Sequence, residues 1–357
     1  MQSFYKNKRV LITGACGTIG RELAIQILEK FIANELVCLD NNESALFFLE
    51  QELKRFGNVK YFLADVRDKD KLAKKMKGID IVFHTAAFKH VIMCERSPFE
   101  AVQTNILGVQ NVIYGAMENG VEKVIFTSSD KAVNPTNVMG TSKLMGERLM
   151  TAANSNLRDG KTIFASTRFG NVLGSRGSVI PIFQEQIRKG GPVTLTDIDM
   201  TRFIMSKKDA VTLVIDSAQL AKGGEVFVTK MPVIKIEDLA RAMVNALAPV
   251  YGHDPEKIRI DIIGVKAGEK MYEELMSMEE TRRSLELSRY FVVIPAFKGL
   301  YRNIDYSYSD IVSEQVDNPY HSGRHSPMDI IELDNYLTDN NLLLEEDNTH
   351  PDERYWP

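Results

Sequence analysis

The sequence is poor in the residues that build disulfide frameworks, metal sites and membrane spans. It has three cysteines (Cys16, Cys38 and Cys94), six histidines and one tryptophan in 357 residues. Three cysteines cannot all pair, and none stands at metal-ligand spacing, so we expect reduced thiols and no metal. No stretch approaches the roughly 18 apolar residues of a membrane helix, and residues 1–9 lack the apolar core of a signal peptide. We therefore expect a cytoplasmic protein without a membrane partner.

Neither sign of charge dominates the composition. The chain has 44 Lys and Arg against 48 Asp and Glu, which gives a net charge of -4. Nucleic-acid-binding surfaces need a basic excess, so we expect no nucleic acid partner. A length of 357 residues with 44% hydrophobic residues is typical of a globular protein with two domains, or with one large α/β unit and an appended lobe.

Strand-like and helix-like segments alternate through the first half of the chain. Short β-branched runs predict strands at residues 9–13, 36–40, 59–64, 79–84 and 123–128. Apolar residues at helical spacing predict helices between them, at residues 21–30, 45–56, 70–77 and 98–119. Regular alternation of this kind implies parallel βαβ units. We predict an α/β fold with a doubly wound, Rossmann-like parallel sheet and a smaller α/β substrate-binding lobe.

A glycine-rich turn joins the first predicted strand to the first predicted helix. Gly14, Gly17 and Gly20 form a G-x-x-G-x-x-G pattern, which lets the backbone turn tightly beside a pyrophosphate at the helix N-terminus. Asp40 closes the second strand twenty residues after Gly20, where a carboxylate accepts from ribose hydroxyls and repels a 2′-phosphate. The pattern predicts tightly bound NAD(P)+, with NAD+ slightly favoured because Asn41 and its neighbours can still adapt to NADP+. The alternative is a turn that only packs a helix on a sheet.

Two further strand ends carry candidate cofactor contacts. Asp65 and Val66 follow the third strand, where they suit an adenine edge, and an equally good alternative for Asp65 is a helix N-cap. Ala86 and Ala87 follow the fourth strand and are small where a nicotinamide ribose would pass the backbone. A plain βα turn would use the same two alanines.

The pattern changes near residue 171, where glycine and proline become frequent. Helices are predicted at residues 236–247 and 271–275, and an isolated strand at 258–263. We predict a dinucleotide-binding domain at residues 1–170 with a returning segment near 203–232, a lobe at 171–202 and 233–337, and an acidic tail at 338–357. The tail is expected to be frayed or to dock.

Several longer motifs resemble those of a known enzyme family. They are residues 14–20 (GACGTIG), 84–91 (HTAAFKHV), 128–143 (SSDKAVNPTNVMGTSK), 168–181 (RFGNVLGSRGSVIP), 196–203 (TDIDMTRF) and 268–274 (GEKMYEE). Over roughly residues 5 to 335 the chain resembles the extended short-chain dehydrogenase/reductases. Within that superfamily it is most similar to the UDP-N-acetylglucosamine 4,6-dehydratases of bacterial polysaccharide biosynthesis.

The resemblance implies removal of water across C5–C6 of a sugar, by C4 oxidation, elimination and hydride return to C6. A ketone at C4 makes the C5 proton acidic, so the site needs a nicotinamide and an acid–base pair. Asp130 would be the acid for the C6 hydroxyl and Lys131 the base at C5; the alternative is a capped turn with an exposed lysine. Lys143 would hold the nicotinamide ribose or be a solvated helix lysine, and Ser128 or Ser129 would hydrogen-bond the C4 oxygen.

One position departs from the superfamily pattern. Met139 stands four residues before Lys143, where most relatives have a tyrosine base, and a thioether cannot relay that proton. Some of these dehydratases also have methionine there, so the activity is still expected. The base for the C4 hydroxyl is left open among Asp130, Lys131 and a water held by Lys143. Alternatives for the whole protein are a nucleotide-sugar 4-epimerase, which normally needs the tyrosine, and a catalytically silent dinucleotide-sensing protein.

The resemblance also implies the binding residues and the assembly, each residue with a structural alternative. Those expected at the cofactor are Gly14, Gly17, Thr18, Ile19, Gly20, Asp40, Asn41, Asp65, Val66, Ala86, Ala87, Lys89, Asn105, Ser128 and Lys143. Those expected at the nucleotide sugar are Lys89, Asn171, Arg176, Ser178, Val179, Arg202 and Glu269. We expect UDP-N-acetylglucosamine, with other nucleotides left open, and a homo-oligomer (dimer or hexamer).

Overall fold

The computed structural model describes residues 2–154, 162–175, 178–264, 269–297 and 304–343. In the first half the strands are β1 (Arg9–Thr13), β2 (Glu35–Asp40), β3 (Val59–Leu63), β4 (Ile81–His84), β5 (Lys123–Thr127) and β6 (Ile163–Arg168). The helices are α1 (Gln2–Tyr5), α2 (Thr18–Lys30), α3 (Glu43–Leu53), α4 (Lys69–Lys75), α5 (Val91–Arg96), α6 (Pro98–Ala101), α7 (Gly108–Glu118) and α8 (Val138–Ala153). The helix predicted at residues 98–119 is interrupted by a π-helical turn, Val102–Leu107.

The second half has shorter elements. Its strands are β7 (Asn171–Val172), β8 (Val193–Leu195), β9 (Thr201–Met205), β10 (Val226–Thr229), β11 (Val233–Lys235), β12 (Ile260–Ile262), β13 (Glu274–Met276), β14 (Ser284–Leu287), β15 (Tyr290–Val293), β16 (Ile311–Ser313) and β17 (Tyr320–His321). Its helices are α9 (Val179–Arg188), α10 (Lys207–Leu220), α11 (Ile236–Leu247), α12 (Met278–Thr281) and α13 (Ile330–Asp339). None of the described helices in either half combines the length and apolarity needed to cross a membrane.

A ten-stranded sheet in the order β16-β14-β15-β10-β6-β5-β4-β1-β2-β3 organises the larger part of the chain. The seven strands from β10 to β3 pair in parallel. Leu11 and Val82 pack among α4, α7 and α8 on one face, and Ile12 and Phe83, which point to the other face, are equally buried. Both faces of these strands are covered, as in doubly wound sheets. The predicted Rossmann-like fold is confirmed, except that β14, β15 and β16 add an antiparallel edge.

The contacts divide the chain into two compact units. The sheet unit comprises Met1–Phe169, Lys208–Lys230 and Glu274–Tyr320, and the second unit Gly170–Lys207, Met231–Glu273 and His321–Pro357. The predicted lobe included residues 274–320, which group with the sheet unit because β14–β16 pair into its sheet. The returning segment also starts later than predicted, at Lys208, because β9 pairs with β7 and β11 of the second unit.

Two local predictions in the second half are wrong. Residues 271–275 do not form a helix, because Glu274–Met276 is extended as β13. The tail does not begin at residue 338, because α13 continues to Asp339 and Leu342 is buried in the core of the second unit. A capping box between Asp329 and Glu332 starts α13. The rest of the predicted tail, from residue 344, lies outside the described residues.

We predict that α13 contributes to the core of the second unit rather than to a frayed tail. Leu337 is 0% exposed, so Leu337→Ala should lower the free energy of unfolding by about 2–5 kcal/mol through lost burial and a cavity. Ile331 lies on the same helix and is 69% exposed, so Ile331→Ala should change it by less than about 0.5 kcal/mol. Urea denaturation followed by circular dichroism measures both. Equal effects of the two substitutions would contradict the docking of α13.

Candidate active site

The glycine turn after β1 is built so that only glycine fits at its key positions. Gly14 has a φ of 69°, and a Cβ on it would lie 2.7 Å from backbone atoms of Ala86. A Cβ on Gly20 would lie 2.2 Å from the carbonyl oxygen of Gly14. Gly17 is the N-cap of α2 and has no side chain to cap it, so the N–H groups of the first turn, at Thr18 and Ile19, are available to an anionic ligand.

Asp40 lies beside this turn. Its Oδ2 accepts a hydrogen bond from the N–H of Cys16 at 2.9 Å, and its Oδ1 accepts from the N–H of Asn42 at 3.0 Å. Two backbone donors therefore fix the carboxylate at the end of β2, next to the first glycine. The structure brings together the predicted cofactor residues of β1, α2 and β2, and their cradle fits the phosphates and the adenosine ribose of a dinucleotide.

The next predicted cofactor residues are arranged around the ends of β3 and β4. Asn41 donates to Asp65 at 3.3 Å, and hydrogen bonds from Arg67 lower the pKa of Asp65 to about 2 despite partial burial. Asp65 is not a helix N-cap, because Asp68 caps α4. Val66 is buried and would contact a Cβ on Gly108 of α7 at 2.9 Å.

Asn105 fastens the segment that follows β4. Its Oδ1 accepts from the N–H of Phe88 at 2.8 Å, and its Nδ2 donates to the carbonyl of Phe88 at 3.0 Å and to Ser142 Oγ at 2.9 Å. The Asn105 amide thus ties the segment that carries Ala86, Ala87 and the exposed Lys89 to α8. Its side chain is 1% exposed, so its amide is used within the protein to hold this segment.

The predicted acid–base pair forms a short 3-10 turn, Asp130–Ala132, directly beyond β5. Lys131 Nζ lies 3.0 and 3.2 Å from the two carboxylate oxygens of Asp130, and Ser129 Oγ donates to Asp130 Oδ1 at 2.6 Å. Asp130 is 5% exposed, whereas a third of the Lys131 side chain is exposed. The turn therefore holds a hydrogen-bonded triad of the Ser129 hydroxyl, the Asp130 carboxylate and the Lys131 amine.

The first turn of α8 packs directly on this triad. A Cβ on Gly140 would lie 2.1 Å from the carbonyl oxygen of Lys131, so glycine at this position allows the close approach. Asn137 caps the helix by accepting from the Gly140 N–H at 2.8 Å, and Glu95 accepts from the Val138 N–H at 2.7 Å.

Met139 and Lys143 lie one turn apart on α8. Met139 is 3% exposed and packs in an apolar cluster with Cys94 and Ala101, and a thioether has no proton to exchange. Lys143 donates to the carbonyl of Thr127 at 2.9 Å, and its Nζ lies 4.8 Å from the centre of the Phe126 ring. Burial lowers the pKa of Lys143 to about 8, although the nearby Glu147 and Cys94 partly offset the shift.

Two buried polar atoms at the same strand ends have no hydrogen-bond partner among the described residues. They are Ser128 Oγ and His84 Nε2. His84 Nδ1 is 2.7 Å from Thr13 Oγ1, and burial, with the charge of Lys143, lowers the pKa of His84 to about 3. Sequence reasoning missed His84 as a candidate, although it ends β4 beside the site. Orphaned buried polar atoms are typical of places where a ligand or water completes the hydrogen bonding.

Most of the predicted sugar-binding residues lie in the second unit. Arg202 Nη1 donates to the carbonyl of Thr201 at 2.8 Å, and its guanidinium lies 3.7 Å from Glu269 and 3.5 Å from Glu273. Arg202 and Glu269 therefore lie close enough to form an ion pair. Asn171 lies in β7, Ser178 and Val179 start α9, and Arg176 lies outside the described residues.

Comparison with known proteins gives a consistent set of relatives. A family model described as polysaccharide biosynthesis protein matches residues 10–295. An uncharacterized membrane protein of Methanocaldococcus jannaschii is 53% identical over 83% of this chain and 88% of its own length. A UDP-N-acetylglucosamine 4,6-dehydratase (inverting) of Campylobacter jejuni is 39% identical over 85% and 87%. A UDP-glucose 4-epimerase of Rickettsia bellii is 42% identical over 80% and 83%.

Solved structures include close matches as well. Pen from Bacillus thuringiensis has a TM-score of 0.88 at 41% identity and covers 96% of this chain and 100% of its own. A dTDP-glucose 4,6-dehydratase from Streptomyces venezuelae, with NAD bound, has a TM-score of 0.64 at 21% identity over 74% and 86%. The second likeness establishes the shared fold.

We predict that Gly20→Ala prevents dinucleotide binding, because the added Cβ collides with the Gly14 carbonyl in the turn. Isothermal titration with NAD+ and with NADP+ measures the effect, and thermal melting shows whether the variant is folded. Gly57→Ala is the control, since a Cβ there meets nothing within 4 Å. Unchanged titration of a folded Gly20→Ala variant would show that this turn does not hold the dinucleotide.

We predict that Lys143 costs folding free energy when charged. Because its pKa is about 8 in the folded protein and about 10.4 when unfolded, the unfolded chain binds more protons between these values. The wild type should therefore gain unfolding free energy relative to Lys143→Met as pH rises from 8 to about 10. Urea denaturation of both proteins across this range measures the difference. A difference that stays constant with pH would mean that the lysine is not desolvated.

Proposed function

The chain belongs to the polysaccharide biosynthesis protein family of extended short-chain dehydrogenase/reductases, and on that premise we propose that it is a nucleotide-sugar 4,6-dehydratase. The observation that carries the proposal is the triad of Ser129, Asp130 and Lys131, packed against the first turn of the helix that bears Lys143. An enzyme that only oxidises and reduces C4 needs a base for the C4 proton but none for the C5 proton, which is the role that we give to Lys131.

NAD(P)+ is the cofactor that the glycine turn would hold. The first turn of α2 would receive the pyrophosphate, Asp40 the adenosine ribose and Lys143 the nicotinamide ribose. Asp40 favours NAD+, because a 2′-phosphate would stand beside a carboxylate. The chemistry that the cofactor supplies is to accept the C4 hydride and to return it to C6.

We assign the role of base for the C4 hydroxyl to Asp130, and Ser129 relays the proton to it. Ser129 Oγ already donates to Asp130 Oδ1 at 2.6 Å, so it can take a proton from the C4 hydroxyl as it passes its own to the carboxylate. Asp130 then carries the proton that the departing C6 hydroxyl needs. Met139 is not required in this scheme, which is consistent with its apolar surroundings.

Lys131 then acts at C5. Its amine must be neutral when substrate binds, so that it can take the C5 proton once the C4 ketone has made that proton acidic. Asp130 protonates the C6 oxygen, which leaves as water. Lys131 finally gives a proton back to C5. The triad ends with the same protons that it started with, and the partly exposed Lys131 can exchange its proton with solvent.

UDP-N-acetylglucosamine is the substrate that we propose. Its support is the Campylobacter jejuni relative of that name at 39% identity and the group of Arg202 and Glu269, in which a guanidinium suits a diphosphate and a carboxylate suits sugar hydroxyls. We also propose that the nucleotide sugar contacts Lys89, Asn171, Arg176, Ser178 and Val179. We also propose a cytoplasmic homo-oligomer (dimer or hexamer); the buried cysteines, which form no disulfide, support that location.

A 4-epimerase is the second candidate, because a UDP-glucose 4-epimerase is 42% identical to this chain. The two activities differ in their products: an epimerase gives an isomer that keeps its C6 hydroxyl, and a dehydratase gives a 4-keto sugar with a C6 methyl. Nuclear magnetic resonance of the protein with UDP-N-acetylglucosamine in deuterated water separates them. We expect a C6 methyl signal and deuterium at C5. An unchanged spectrum with every nucleotide sugar tried would favour a silent dinucleotide sensor.

We predict that Lys131→Ala and Asp130→Asn each stop water loss and leave the dinucleotide bound. Lys131→Ala removes the C5 base, and Asp130→Asn removes the group that accepts and delivers the proton. Product formation and bound-nucleotide content measure the two effects. Lys257→Ala is the matched control, since Lys257 pairs with Asp254 on another 3-10 turn and its side chain is 83% exposed. Near-normal turnover in either site variant would refute its role.

A further inference from the structure

Arg168, at the last position of β6, is the largest side chain that is fully buried in the described protein. Its guanidinium forks onto two carboxylates. It donates to Glu147 at 2.7 and 2.6 Å and to Glu280 at 2.9 and 2.8 Å. It also donates to the carbonyl of Leu275 at 3.2 Å. Although burial opposes it, the charge of Arg168 lowers the pKa of Glu280 to about 2.

The strand end that bears Arg168 also holds the triad. The carbonyls on either side of it, those of Thr167 and Phe169, accept from the N–H groups of Ser128 at 2.7 Å and Asp130 at 3.2 Å. A change in the position of residue 168 therefore shifts the backbone on which the acid–base pair is mounted.

A second connection reaches the triad through β13. Arg168 fixes the carbonyl of Leu275 in this strand, and β13 packs against the turn Asp130–Ala132. Glu274 accepts from Asn134 Nδ2 at 2.7 Å, just beyond the turn, where Asn134 adopts a left-handed φ of 44°. The triad is thus in contact with β6, which carries Arg168, and with β13, whose Leu275 carbonyl accepts from Arg168.

The third connection leads to Lys143. Glu147 lies one helical turn after Lys143 on α8, and both side chains are buried. Glu147 forms its two hydrogen bonds with Arg168, so the guanidinium sets how α8 sits against β6. The negative charge of Glu147 also raises the pKa of Lys143, which partly offsets the lowering that burial causes.

We propose that Arg168 is a positioning residue that fixes the Ser129–Asp130–Lys131 triad against Lys143, with Glu147 and Glu280 as the two carboxylates that hold it. The inference rests on the proposed dehydratase function. Dehydration needs one sugar to meet two sets of groups in the same binding event. The triad takes the C4 proton and serves the elimination across C5–C6, and Lys143 would hold the nicotinamide ribose beside C4. A displacement of about 1 Å between such groups costs on the order of 100-fold in rate.

Two substitutions separate positioning from simple stability. Arg168→Lys keeps a positive charge and loses the planar fork that serves two carboxylates at once. Glu280→Gln keeps the shape and loses one charge of the network. Glu279→Gln is the control. Glu279 is the neighbour of Glu280 on α12, its side chain is 63% exposed, and its carboxylate pairs with Arg283 rather than with Arg168.

The measurement is single-turnover reaction with UDP-N-acetylglucosamine at a temperature where circular dichroism shows each variant folded. The absorbance of reduced nicotinamide reports C4 oxidation, and the C6 methyl signal reports completed dehydration. In both site variants we expect C4 oxidation and dehydration to fall by about 100-fold, because the triad serves both steps, while the folded fraction and the content of bound dinucleotide stay at the wild-type level. The control should match the wild type. If Arg168→Lys does not fold, Glu280→Gln gives the answer.

Two outcomes would overturn the inference, and they are distinguishable. If the wild type makes no 4-keto product, the proposed function fails and the inference fails with it. If the wild type dehydrates, and oxidation and dehydration fall in both variants by one common factor that follows the folded fraction, Arg168 is a structural residue only and the proposed function still stands.

Discussion

Two backbone hydrogen bonds just beyond the end of β5 support most of the chemistry proposed for this protein. Strand β5 ends at Thr127, yet the N–H groups of Ser128 and Asp130 still pair with the carbonyls of Thr167 and Phe169. Buried N–H groups must find acceptors, and these two find them on the neighbouring strand. The chain therefore leaves the sheet in a defined direction, and the carboxylate of Asp130 is almost completely buried.

The buried charges around this point are compensated to different degrees. Arg168 has two carboxylates, and Asp130 has an amine and a hydroxyl. For Lys143 the structure provides the carbonyl of Thr127 and the face of the Phe126 ring, which do not replace the lost hydration in full. The charged form of Lys143 therefore lowers the stability of the fold, and the role that we propose for this residue is at the nicotinamide ribose.

Much of the fold and part of the site could be predicted because the signals are local. The glycine turn, Asp40 and the Asp130–Lys131 pair are each read within a strand and the few residues after it. Arg168 could not be recognised as a hub, because its carboxylate partners are 21 and 112 residues away. The segment 271–275 is predicted as a helix from its own residues, whereas its last two residues belong to the extended strand β13, where the carbonyl of Leu275 accepts from the distant Arg168. Leu342 likewise looks like tail until the core that buries it is known.

The antiparallel edge of the sheet has a consequence for how the protein loses activity. Strand β14 begins four residues after Glu280. The segment that supplies this carboxylate to Arg168 therefore leads directly into the antiparallel edge strands β14, β15 and β16. Edge strands open more readily than the central strands they flank. Partial melting of that edge on warming would release Glu280 while the parallel strands were still intact. The protein would then inactivate at a lower temperature than it unfolds, and its working range would be set by the periphery of the sheet rather than by its core.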